Sequence, residues 1–177
     1  MIRRKWRKRA KKKTVLLGLV GLILLTLLTG CSTVRETMAQ LRIYGNNELI
    51  AESGDNYSYD SREGTADAAG AALDFQQFTG KHTLWTVTTS KDSQMKLDLK
   101  LGIENGKCKV VHILPSGKVV KLADEKLAGD SLTVDLPEGK NVIKLIGKKA
   151  YGSLKAEFGN SETARILAGE DGETAVE

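Results

Sequence analysis

The stretch that most constrains this chain is Met95–Ile103, where Met95, Leu97, Leu99, Leu101 and Ile103 alternate with Lys96, Asp98, Lys100 and Gly102. A period of two puts the apolar set on one face and the polar set on the other, which is the pattern of a half-buried strand. Asn105-Gly106 follows, two residues that tolerate positive φ, and predicts a type I′ hairpin with Lys107–Leu114 pairing back antiparallel. Pro115-Ser116-Gly117 and Pro137-Glu138-Gly139 mark further turns. Between and beyond them Val119–Ala123, Ser131–Leu136, Asn141–Ile146 and Tyr151–Phe158 read as strands, with Gly147–Ala150 as a connection. No stretch here holds apolar spacing of three and four long enough for a substantial helix.

Upstream, Met38–Tyr44 and Glu48–Ala51 flank Gly45-Asn46-Asn47 and read as a first hairpin. Glu52–Gly70, rich in Gly, Asp, Ser and Ala, reads as a long exposed loop. Beyond Phe158 the chain turns acidic and small-residued, which predicts a flexible tail over 159–177 with at most a short helix near Glu162–Leu167. The expected fold is all-β, an antiparallel β-sandwich of about eight strands over residues 38–158. At the level of architecture it resembles the small jelly-roll and immunoglobulin-like sandwiches of bacterial surfaces. That resemblance has no diagnostic motif and transfers no binding residues.

The formal charge of +5 suggests a partner such as nucleic acid, but its distribution argues otherwise. Met1–Lys13 holds nine of the 27 basic residues and no acid, which leaves 18 basic against 22 acidic side chains in the rest. The basic block precedes Thr14–Gly30, seventeen residues without a charge. That order is a signal peptide's, although the run also reaches the lower limit for an uncleaved span. Leu28-Thr29-Gly30-Cys31 closes the run and resembles the lipobox of bacterial lipoproteins: an aliphatic residue, two small ones, then cysteine. The resemblance implies a signal peptide over 1–30, cleavage between Gly30 and Cys31 by the lipoprotein signal peptidase, and a diacylglycerol on Cys31. Residues 31–37 are then the lipidated terminus and tether. Two or three acyl chains would make the protein membrane-resident at the extracytoplasmic face, on the outer membrane if the cell has two. Arg3-Arg4 lacks the apolar follow-up of a twin-arginine signal, so general secretion is expected.

With Cys31 consumed by lipid, Cys108 has no disulfide partner, and its alternation with Val110 predicts a core position. Gly129-Asp130-Ser131-Leu132 spells the letters that name the GDSL esterases, yet no histidine follows His112 to activate Ser131. His82 and His112 stand thirty residues apart without further ligands, too few for zinc. The Gly-Lys pairs lack a P-loop's spacing and its following Ser or Thr. Neither a catalytic residue, a metal site nor a cofactor is therefore expected.

Asp55, Asn56, Asp60 and Glu63 form an oxygen-rich stretch, read as a solvated loop in preference to a calcium site because the spacing matches no standard loop. Candidate ligand contacts are Asp55, Tyr57, Tyr59, Asp60 and Tyr151, the aromatics being able to stack on a sugar or peptide. Tyr151 can equally close a strand edge. Trp85 alternates with Val87 and is expected in the core. The leading functional expectation is a lipid-anchored, noncatalytic binding domain for a glycan, another polymer or an envelope protein. The alternative is a structural or assembly accessory subunit of an envelope complex.

Overall fold

The computed structural model describes residues 35–126, 131–159 and 164–169. The signal peptide, Gly30 and Cys31 lie outside the described residues. The chain divides into two units, Met1–Ala39 and Gln40–Glu177. In the first, residues 35–39 are helical; in the second, helical residues 40–43 precede helix α1 (Asn47–Ala51).

These helical segments replace the expected first hairpin. Asn46 caps α1, its side chain accepting from the N–H groups of Glu48 (2.9 Å) and Leu49 (3.2 Å), with Glu48 adding an acid to the first turn. The Gly-Asn-Asn signal thus marks a helix start. Gln40 and Ile43 are buried at a helical spacing of three that the short run hid, and Ile50 is buried on α1. At the other end of α1 the ammonium of Lys81 donates to the carbonyls of Leu49 and Glu52, and that of Lys144 to Glu52, all at 2.8 Å. Two buried cations therefore satisfy carbonyls that the helix leaves free.

The rest of this unit is antiparallel sheet: β1 (Asn56–Ser58), β2 (Ser61–Ala66), β3 (Gly70–Thr89), β4 (Ser93–Ile113), β5 (Val119–Asp124), β6 (Ser131–Leu136), β7 (Gly139–Phe158) and β8 (Ala164–Ala168). Several expected boundaries are corrected. Two strands lie in the expected loop, and residues 164–168 of the expected tail pair with β3 rather than forming a helix. Asn105-Gly106 makes no hairpin: β4 runs through it, and both halves of β4 pair with β7. Gly147–Ala150 is likewise interior to β7.

The turn signals inside these long strands mark a corner. A straight strand of β3's twenty residues would run about 66 Å. Yet the Trp85 ring lies 4.7 Å from that of Phe158, and its Nε1–H donates to the Asp67 carbonyl at 2.7 Å, both beside the start of β3. The strand folds back over itself. Gln77 and Lys149 adopt positive φ, and register shifts fall at 75–80 on β3 and 103–107 on β4, aligned across β7. At Gly106 (φ 78°) a Cβ would sit 2.0 Å from the Lys149 carbonyl oxygen, so glycine serves close approach at the bend.

Three bent strands thus build an eight-stranded β-sandwich. One layer has the order β6-β4-β7-β3-β2; the other runs β5-β4-β7-β3 with β1 and β8 on the outer edge of β3. The main core lies between them, with Leu73, Leu99 and Leu154 from the first layer meeting Trp85, Val110 and Leu145 from the second. Cys108 is buried there too, and burial raises its thiol pKa. A second, smaller core covers the outside of the second layer, where Ile43 and Ile50 pack with Val111, Ile113 and Ile146.

Candidate functional site

The covering of the sandwich is one-sided. Helical residues cover part of the outer face of the second layer, whereas the strand alternation turns charged and small side chains outward from the first. Where that open face meets the corner there is a cleft of about 280 Å³. Ser61 and Glu63 of β2, Asp74 and Gln76 of β3, Glu104 of β4 and Tyr151 and Ser153 of β7 line it. Sheet register assembles them: Glu63 stands opposite Asp74, and Asp74 opposite Ser153. Gly152 also lines it, and a Cβ there would come within 2.1 Å of the Gly102 carbonyl oxygen on the neighbouring strand. Among the described residues, Glu63, Asp74 and Glu104 make no hydrogen bond or ion pair through their side chains. Their oxygens are free to accept from a ligand.

The expected ligand residues distribute around this corner. Tyr151 lines the cleft together with Glu63. Asp60 accepts from Gln77 Nε2 at 2.7 Å, at the bulge beside Gln76. Asp55 is committed elsewhere, its Oδ1 accepting from the N–H (2.8 Å) and hydroxyl (2.7 Å) of Thr83. Asn56 accepts from Gln40 Nε2. The four oxygen-bearing residues therefore do not converge. No group of three or more His, Cys, Asp or Glu able to hold a metal occurs among the described residues.

Tyr57 and Tyr59 are neighbours, but their settings differ. Tyr59 stacks on Phe78 (4.5 Å, 14°), and its hydroxyl shares a 2.9 Å hydrogen bond with His82 Nδ1. Burial raises its phenol pKa and lowers that of His82 to about 4, against the opposing pull of Asp55. Tyr57 is 40% exposed, with its ring 4.5 Å from that of His82. Tyr59 is thus a wedge at the core's edge, whereas Tyr57 presents a surface.

Among the described residues, neither histidine hydrogen-bonds to a serine. His112 Nε2 pairs with Asn141 Oδ1 at 2.9 Å, and Asn141 in turn donates to the Pro137 carbonyl. Burial lowers the pKa of His112 as well. Ser131 opens β6 opposite Asp98, and Gly129 and Asp130 lie outside the described residues. Asp74, Gln76, Glu104 and Ser153 were not singled out from sequence. Alternation marks Asp74 and Gln76 as outward, since they interleave with Leu73 and Phe75, but only register makes them neighbours of Tyr151.

No protein-family model and no curated protein matches this chain. Among solved structures it is similar to Xyl-CBM35, determined in complex with a glucuronic acid containing disaccharide (11% identity, 66% of this chain and 87% of that one, TM-score 0.33). It is also similar to the CBM35 of Cellvibrio japonicus Abf62 (13%, 68% and 89%, TM-score 0.31). A third is procruciferin, an 11S globulin from Brassica napus (14%, 56% and 23%, TM-score 0.27).

Proposed function

We propose that this chain is a lipoprotein anchored through Cys31 at the extracytoplasmic face of the membrane, whose noncatalytic β-sandwich binds a glycan chain on its open face. The observation that carries the binding role is the corner cleft, where three uncommitted carboxylates, an amide and two serines surround Tyr151. Carboxylate and amide oxygens accept from sugar hydroxyls, and a half-buried tyrosine ring offers a stacking surface with little side-chain entropy to lose. The chain enters the sandwich unit among the helical residues that cover the second layer, so the open face belongs to the other layer.

Affinity electrophoresis of the purified full chain in gels containing neutral or acidic polysaccharides tests the binding role. Wild type is expected to be retarded by at least one, with Asp74→Asn/Tyr151→Ala weakened about tenfold, the loss of roughly one charged hydrogen bond. Migration unaffected by every polymer, or equal retardation of the variant, would overturn the reading. The anchor has its own test in the intact mass of membrane-extracted protein. A chain beginning at Cys31 with acyl groups, abolished by Cys31→Ala, is expected; an unmodified full-length chain would mean no lipid anchor.

A further inference from the structure

Resting on that reading, we propose that Lys100 and Lys155 form a subsite for anionic groups, so that the glycan bound on the open face is an acidic polysaccharide. Lys100 of β4 and Lys155 of β7 are both exposed and directly opposite in register. One step along the same face Asp98 stands directly opposite Glu157. Like charges in directly opposite positions disfavour a sheet, and the diagonal neighbours of opposite sign form no ion pair here. Exchanging Lys155 with Glu157 would keep the composition and bring opposite charges face to face, so the segregation is not imposed by composition or fold.

The four side chains border an open trough of about 420 Å³ that also takes in Ser131. Ala72 lies beyond Lys155 in the same row and supplies no competing charge. An anion placed between the two ammonium groups would relieve their repulsion, while Asp98 and Glu157 accept from hydroxyls of the adjoining sugar. A second opposed pair, Lys107 and Lys148, faces the other side of the sandwich, since its neighbour Cys108 points into the main core. It provides a matched control.

The test titrates the full chain in non-ionic detergent with polygalacturonate, phosphorylated dextran and plain dextran by calorimetry, at low and high salt. At least tenfold preference for one anionic polymer over dextran is expected, weakened by salt. Carboxylate or phosphate as the preferred group follows from which polymer wins. Lys100→Gln/Lys155→Gln should lose that preference, Lys107→Gln/Lys148→Gln should keep it, and the first variant should melt no lower than wild type. Equal binding of dextran and the anionic polymers, unchanged binding by the first variant, or a fall in its melting temperature would overturn the subsite and leave glycan binding standing. Binding of no polymer at all would overturn both proposals.

Discussion

His82 is held beneath β1 by Tyr57 and Tyr59, and that setting makes its protonation a stability matter. The unfolded chain takes up a proton near pH 6.5 that the folded chain refuses until about 4. Between those values the unfolded state binds more protons, so stability is complete above the window and declines as pH falls through it. The shift corresponds to about 3 kcal/mol at most. Urea unfolding at pH 7 and pH 4.5 should show wild type losing more stability than His82→Gln. Equal losses would mean that His82 does not carry the proton linkage.

At the scale of elements, the corner decides the architecture, and it was the part least legible in the sequence. The alternation of Met95–Ile103 identified the first half of β4 and its buried face correctly, because period two is a local property. The step at Asn105-Gly106 was misread for the same reason: a hairpin and a bulged corner demand the same residues locally. Their difference lies in the partner strand, and here both flanks find β7. The helical residues were missed because their apolar anchors are few, and tertiary packing by Ile43 and Ile50 outweighs a weak pattern. Gly106→Ala places a side chain at φ 78° against the Lys149 carbonyl, and should destabilise the protein by about 2–3 kcal/mol. Chemical denaturation checks this, and a loss below about 0.5 kcal/mol would show that the corner tolerates a methyl group.

Across the whole molecule, the candidate site follows from how the layers are covered. Tyr151 and Glu63 were noted in the sequence, but their meeting depends on register across β2, β3 and β7, which alternation does not encode. Asp55 and Tyr59 were noted for chemistry that the fold spends on fastening β1 to β3. The same long strands carry a mechanical consequence. In a sandwich of two separate sheets, only side-chain packing resists one sheet sliding over the other. Here β3, β4 and β7 pass from layer to layer as continuous covalent backbone. Drag from a polymer held on the open face would therefore be borne as tension along three parallel cables, and the two layers cannot be peeled apart without straightening all three.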